Sequence, residues 1–409
     1  MRVLVISQYF WPENFRINDL VAGLVGRGHE VTVLTGQPNY PSGKFAAGYG
    51  WLGPRFERRF GADIFRVGLV PRGSGSRLRL ALNYVSFMIA ACLGLVSRLP
   101  RDRRFDAIFV FQLSPFTVGV PAVVARWRYR APVLFWVLDL WPESLGAVGA
   151  VRSAWLLRPV EWVVRWVYGR CDRVLVQSRA FVPAVVRYGV PDDAIRYFPN
   201  WGEAVFDSRS ASEGVPGLPG GFRVLYAGNV GAAQDFPAIL DAATQLAART
   251  DIQWIIVGDG SVASWARDES SRRGLDRTVH FLGQRSLESM PRFFAACDAL
   301  LVSLKRDPVL ALTVPGKLQS YLASGVPILA VLDGEGARIL AESGAGIHCP
   351  PGDSGALASA VERLAALPAT ERLRMGRNGR DYYEKNFSRE RVFDLLESVL
   401  ADAVEHRRE

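Results

Sequence analysis

T-V-P-G-K-L-Q-S-Y-L-A-S-G-V-P-I-L-A, residues Thr313 to Ala330, reads as a helix followed by a strand. Pro315 and Gly316 suit a first turn, where amides have no partner within the helix. Leu318, Tyr321 and Leu322 recur at helical spacing, and Gly325 ends the run. Pro327 to Leu332 then form a strand. A helix that starts beyond a strand of an α/β sheet offers free amides and a positive dipole end, which together make an anion site. Lys317 falls in that first turn. Only four of the 49 basic residues are lysines, Lys44, Lys305, Lys317 and Lys385, so a compact ammonium at this place stands out against an arginine background. Phosphate binding explains it; a solvated lysine on an ordinary helix is the alternative.

The chain has 409 residues, 49% hydrophobic and 22% charged, enough for two domains with full cores. A net charge of +9 suits any polyanion and does not by itself choose among nucleic acid, phospholipid headgroups and nucleotide-linked substrates. Cys92, Cys171, Cys297 and Cys349 are far apart and include no C-x-x-C pair, which points to core residues in a reducing compartment. The N-terminus begins with a strand pattern, Arg2 to Ser7, without a signal peptide's basic start and cleavage site, so a cytoplasmic location is expected.

Outward from the opening stretch, apolar runs alternate with helical patterns, first from Val3 to Phe198 and again from Phe222 to Val302. Such alternation gives parallel βαβ sheets. Between the two series, Trp201 to Gly221 is dominated by turn formers and small polar residues, and reads as a linker. The expected domains are 1–200 and 222–380, both doubly wound and Rossmann-like, facing each other across a cleft. Neither first strand is followed by G-x-G-x-x-G; Gln8 to Glu13 is too bulky for a dinucleotide pyrophosphate to approach the backbone, which argues against a nicotinamide or flavin enzyme.

Polar residues gather where strands end. In the first half these are Glu13, Asn14, Arg16 and Asn18, and then Asp139 and Glu143 of D-L-W-P-E-S. Carboxylates delivered to a rim by apolar strands suit recognition of substrate hydroxyls and acid/base chemistry; capping of the following helix is the alternative for Asp139 and Glu143. In the second half, Gly228-Asn229-Val230-Gly231 with Gln234 follows the first strand and Gly258-Asp259-Gly260 the second. Small residues there let a ligand approach the backbone, and with Lys317 at the same sheet edge they suggest a nucleotide diphosphate pocket. His29 precedes a strand, His280 lies within one, His348 ends one and His406 is in the charged tail, so no Ser-His-Asp set is proposed, and the sequence has no D-x-D cluster that would imply a metal or other cofactor.

Two stretches suit a membrane surface. Leu80 to Ser97 is apolar nearly all round and lies between Arg72, Arg77 and Arg79 and then Arg98, Arg101, Arg103 and Arg104; it is either a buried helix or one inserted into one leaflet. In Trp155 to Arg170, Trp155, Pro159, Trp162 and Trp166 share a helical face bordered by Arg158 and Arg165, an interfacial pattern that core packing also explains.

Over essentially its whole length the sequence resembles the GT-B-fold family 4 retaining glycosyltransferases, in the bacterial cell-surface polysaccharide branch of the colanic acid and O-antigen type. The resemblance is carried by Gln8 to Asp19 (Q-Y-F-W-P-E-N-F-R-I-N-D), Asp139 to Ser144, Phe198 to Trp201 (F-P-N-W), Tyr226 to Gly231 (Y-A-G-N-V-G), Ala311 to Gly325 and Asp333 to Arg338 (D-G-E-G-A-R). It implies transfer of a sugar from a nucleotide-sugar donor, here expected to be UDP-linked and of the N-acetyl-L-fucosamine kind, to an undecaprenyl-diphosphate-linked saccharide. This would happen at the inner face of the cytoplasmic membrane, with anomeric configuration retained, no metal and no nucleic acid partner. It also implies that the donor sits in the C-terminal domain, that the acceptor sits in the N-terminal one, and that residues 381–409 return to pack on the first domain. The family's usual Arg and Lys near the diphosphate correspond to Asn229 and Gln234, and its paired glutamates to Leu312 and Ser320. The anion-binding load therefore falls on Lys317, the helix amides and Lys305 or Arg306, and Glu335 becomes a candidate carboxylate for the donor. Rival readings are a nucleotide-sugar 2-epimerase and a catalytically silent membrane-bound subunit.

Overall fold

The structure is a computed structural model that describes residues 1–73, 76–100, 103–144, 154–206 and 215–407. It divides into two compact units, Met1–Phe198 with Phe393–Glu409, and Pro199–Val392.

The N-terminal unit runs β1 (Arg2–Ile6), α1 (Arg16–Gly26), β2 (Glu30–Gly36), β3 (Phe56–Arg59), β4 (Ala62–Val67), α2 (Arg77–Ser97), β5 (Ala107–Gln112), α3 (Gly119–Tyr129), β6 (Val133–Val137), α4 (Ala154–Tyr168), β7 (Arg173–Val176), α5 (Val182–Arg187) and β8 (Ile195–Tyr197). Its sheet has the order β3-β4-β2-β1-β5-β6-β7-β8, parallel throughout except for the antiparallel β3–β4 edge pair. β1, β5, β6 and β7 are buried along almost their whole length, which is why they read as unbroken apolar runs.

The C-terminal unit continues β9 (Phe222–Ala227), α6 (Phe236–Gln245), β10 (Ile252–Val257), α7 (Ala263–Arg272), β11 (Val279–Gly283), α8 (Met290–Ala295), β12 (Ala299–Ser303), α9 (Pro308–Leu312), α10 (Gly316–Ser324), β13 (Ile328–Val331), α11 (Glu335–Ser343), β14 (Gly346–Cys349), α12 (Ser354–Ala366), α13 (Ala369–Asn386) and α14 (Arg389–His406). Its six parallel strands are ordered β11-β10-β9-β12-β13-β14. One apolar cluster fills each face of this sheet. The opening stretch takes the expected form: α10 starts after Pro315 and ends at Gly325, whose φ of +70° would strain any residue with a side chain.

Two boundaries differ from the sequence reading. The segment expected to link the domains, 201–221, is largely part of the C-terminal unit. Trp201 and Phe206 are buried, Phe206 stacks on Phe294 at 4.9 Å, and Val215 and Leu218 pack against the same core; residues 207–214 of that segment lie outside the described residues, as does Arg101. The turn-rich composition hid these few apolar anchors. The returning segment is 393–409 rather than 381–409, because Tyr383 and Phe387 are buried in the C-terminal unit's core. From Phe393 on, α14 is fastened to the N-terminal unit by ion pairs: Arg27 to Asp394 and Glu397 at 2.7 and 2.8 Å, and Arg173 to Asp402 at 2.8 Å.

One side of α2 is packed into the unit and the other is exposed. Asn83, Phe87, Ala91, Gly94 and Leu95 are buried against the unit, and the Asn83 side chain bonds Gln8, Asn39 and the Val70 carbonyl. Leu78, Leu82, Val85, Ile89, Leu93 and Val96, spaced at three or four residues, form an exposed stripe on the other side.

Candidate active site

In the C-terminal unit the strand order reverses between β9 and β12, and doubly wound sheets bind ligands beyond the carboxyl ends of the strands at such a reversal. Lys317, in the first turn of α10, reaches this place. A Cβ added to Gly228, the residue after β9, would lie 2.5 Å from the Lys317 Cε, so the absence of a side chain at 228 makes room for the lysine stem. Lys317 Nζ donates to the Tyr226 hydroxyl and stands 3.8 Å from the centre of its ring. The Tyr226 hydroxyl in turn donates to the Asn229 carbonyl at 2.5 Å. Lys317 has no carboxylate partner among the described residues, and burial pushes its ammonium down to about 7. The N-cap of α10, Pro315, contributes no side-chain cap, and a Cβ on Gly316 would meet nothing within 4 Å. First-turn amides, a dipole end and a half-buried, carboxylate-free cation thus share one accessible spot, an arrangement suited to a phosphate or diphosphate.

Two of the glycines also have a packing role. A Cβ on Gly258 would fall 1.8 Å from the Gly228 carbonyl oxygen, and one on Gly260 2.5 Å from that of Val230, so they let the loops after β9 and β10 pack backbone to backbone. Val230 N donates to Asp259 O at 2.9 Å, and Gly260 N to the Asp259 carboxylate at 2.8 Å. Gln234 accepts from Gly231 N at 3.1 Å and from Asn229 at 3.3 Å, which holds the first loop in shape. Lys305 follows β12 at the same reversal and is tied to that loop by its amide, which donates to Ala233 O at 2.8 Å. Glu335, in contrast, spends both carboxylate oxygens on Arg338 of its own helix, at 2.6 and 3.0 Å.

Two features escaped the sequence reading. Tyr226 was legible only as part of the Y-A-G-N-V-G motif, not as the partner of Lys317. Ser320, one turn after Lys317, donates to the Glu203 carboxylate, so chain from the supposed linker brings an acidic group to α10. The F-P-N-W-G-E run was its only signal.

In the N-terminal unit, Glu13 is buried and accepts from the backbone amides of Asn39 (2.8 Å), Tyr40 (2.7 Å) and Phe10 (3.3 Å). Burial nevertheless lifts it to about 7. Asn18 braces the same loop through Trp11 N at 3.0 Å and Glu13 O at 2.7 Å, while Asn14 is exposed and Arg16 opens α1. Glu13 and Asn18 thus shape the loop after β1. Asp139 follows β6 and accepts from Ser144 and from the Trp141 indole at 3.2 Å; burial raises its carboxyl above the ordinary range despite these bonds and one from Ser114. Glu143 is engaged by Arg187 and by the Tyr188 hydroxyl at 2.9 Å, which makes it a buttress between α5 and the loop after β6.

Comparison with known proteins places the family and the fold. Residues 14–201 match a glycosyl transferase 4-like domain, and 221–366 match the glycosyl transferases group 1. The putative colanic acid biosynthesis glycosyl transferase WcaI of Escherichia coli is 26% identical over 96% of this chain and 98% of its own. The probable glycosyltransferase WbjE of Pseudomonas aeruginosa is 29% identical over 78% of this chain and 79% of its own. The structure of Anabaena HepE in complex with UDP and glucose superposes with a TM-score of 0.67 at 16% identity, over 98% of this chain and 99% of that one, which speaks to the fold alone. With two matched domains in this order and a doubly wound sheet in each, the chain belongs to the GT-B glycosyltransferases of the family 4 type.

Proposed function

We propose that the protein moves a sugar from a UDP-linked donor, of the N-acetylated deoxyhexosamine kind, to a polyprenyl-diphosphate-linked saccharide in the assembly of a bacterial surface polysaccharide. The observation that carries the donor assignment is Lys317 beside the uncapped start of α10. As the bond from the anomeric carbon to the diphosphate breaks, negative charge grows on the leaving oxygen, and the α10 amides and Lys317 stabilise it without a metal ion. The acceptor hydroxyl attacks from the face the leaving group occupies, which retains configuration. UDP in HepE and the polysaccharide role in the name of WcaI support the reading.

Thermal stabilisation by a panel of UDP- and GDP-sugars, followed by transfer into membrane extracts in the presence of a chelator, tests it. UDP-sugars should raise the melting temperature, corresponding to about 2.7 kcal/mol at a hundredfold excess over Kd, and transfer should survive chelation. Stabilisation by GDP-sugars alone moves the donor assignment, and conversion of the free nucleotide sugar without an acceptor makes the protein an epimerase. Within the transferase, Asp139→Asn should cut transfer by about 10²- to 10⁴-fold while leaving UDP affinity unchanged. Equal loss of both would refute its acceptor-side role. Glu143→Gln should instead lower the melting temperature slightly, because it removes the charge that pairs with Arg187.

We also propose that the enzyme works as a peripheral protein on the inner membrane surface. The exposed α2 stripe supports this, as do Trp155 and Trp162 on α4, which are 76% and 66% exposed. Trp155→Ser with Trp162→Ser should lower partition onto anionic vesicles about tenfold or more with an unchanged melting temperature. Unchanged partition would exclude α4 from the contact, and unfolding would show that these rings are structural.

A further inference from the structure

The carboxyl ends of three helices of the N-terminal unit meet around a second cationic feature, to which Lys317 and α10 do not belong. Arg126, Arg128 and Arg130 come from the end of α3, Arg170 from just past α4, and Arg407 from just past α14. With Trp127 they line a cavity of about 780 Å³. Helix carboxyl ends attract cations, and this accounts for part of the grouping. It does not account for the excess. Among the described residues, the ion pairs of these five guanidiniums run to a single carboxylate, Asp172, at 2.8 Å from Arg126 and 3.5 Å from Arg407. Their other bonds are to neutral groups: Arg128 to Leu99 O and the Tyr129 hydroxyl, Arg170 to Trp166 O and Arg407 to Ala131 O. Burial and the charge of Arg126 push Arg407 below its ordinary range, as expected of crowded like charges with too little counter-charge.

A left-handed helix end and an exposed ring lie beside these cations. Arg130 terminates α3 with φ +52° and ψ +31°, a left-handed conformation that glycine adopts without strain and arginine does not. Trp127 is 79% exposed although its indole borders the cavity, so an apolar plane is presented beside the cations. Guanidinium forks match phosphate oxygens in pairs, and an indole packs against an adjoining base, ring or acyl segment.

We propose that this cavity is a binding site for a phosphate-bearing anion, distinct from the Lys317 site and independent of the donor assignment. A phospholipid headgroup and a free phosphorylated metabolite share this chemistry, and the probes separate them. The full-length protein saturated with UDP is titrated with inorganic pyrophosphate, and separately with phosphatidylcholine vesicles that carry phosphatidylglycerol. Arg130→Gly and Arg170→Ser are compared with the parent. Arg130→Gly is the decisive variant because glycine relieves the backbone strain, so its melting temperature should hold or rise while a cation is removed. Each variant should weaken binding by about tenfold, the loss of one charge-assisted contact. If pyrophosphate binding falls, the ligand is a free anion. If only vesicle binding falls, it is a lipid headgroup. Less than a threefold change with both probes in both variants overturns the proposal and leaves the arginines as helix caps. Lys317→Ala leaves these differences in place, so failure of the donor assignment would not be mistaken for failure of this one.

Discussion

Lys317→Ala is expected to remain folded, to bind UDP about 10- to 150-fold more weakly and to lose still more in kcat. The reason lies in where the ammonium stands. It occupies the space left by Gly228, bonded to Tyr226, with no carboxylate to neutralise it, beside helix amides that have no side-chain cap. Removing it costs the ground state one charge-assisted hydrogen bond and the transition state more, because the leaving diphosphate gains charge as the sugar departs. Lys317→Arg should rescue little, since a planar fork does not fit a slot formed by the missing side chain of Gly228. Steady-state kinetics and UDP titrations of both variants check this. Near-normal kcat and KM in Lys317→Ala would assign the phosphates to the amides and to Lys305.

Gly258→Ala should have the largest effect on stability. Its φ of +145° disfavours a side chain, and the added Cβ would sit 1.8 Å from the Gly228 carbonyl oxygen, a backbone atom that cannot rotate away. Strain of this kind costs about 1–3 kcal/mol, and the overlap adds to it by forcing apart the loops after β9 and β10. For a unit of this size each kcal/mol lowers the melting temperature by about 2–4 °C. UDP stabilisation should also fall, because the displaced loop carries Gly228, whose missing side chain makes room for the Lys317 stem. Gly274→Ala is the matched control: its φ is +71° but a Cβ there meets nothing within 4 Å, so only the conformational cost applies. Equal melting temperatures for the two variants would mean that the loops are not packed as described.

These effects were unevenly legible in the sequence. Periodicity gave the two sheets and the bounds of α10 because buried parallel strands are continuous apolar runs, and because Pro315 and Gly325 mark the helix ends by local conformation. The rarity of lysine drew attention to Lys317. What pairs with what was not legible. Tyr226 and Lys317 are 91 positions apart, Glu203 and Ser320 are 117, and Glu143 and Arg187 are 44. Only the fold brings each pair together, and a carboxylate looks the same in sequence whether it will meet a substrate or an arginine. Glu143 and Glu335 are engaged by arginines for that reason, whereas Asp139 is held only by neutral donors. The edge pair β3–β4 gave no alternating signal, because β3 reads Phe-Glu-Arg-Arg and is mostly exposed.

The central claim is that Lys317 receives the donor diphosphate, and its protonation offers the most direct test. Burial holds the free ammonium at about 7, below the ordinary lysine value of 10.5, so above neutrality the empty site is largely uncharged. The negative charge of UDP favours the protonated form and raises that value on binding. Between the two values binding must therefore take up a proton, and affinity must fall as pH rises. Without ligand the sign is fixed as well: between about 7 and 10.5 the unfolded chain binds more protons than the folded one, so stability rises with pH across that window. Calorimetric titration of UDP at about pH 8, in buffers of different ionisation enthalpy, counts the proton. The account predicts an uptake approaching one proton in the parent protein and none in Lys317→Ala; no uptake in the parent, or the same uptake in the variant, would contradict it.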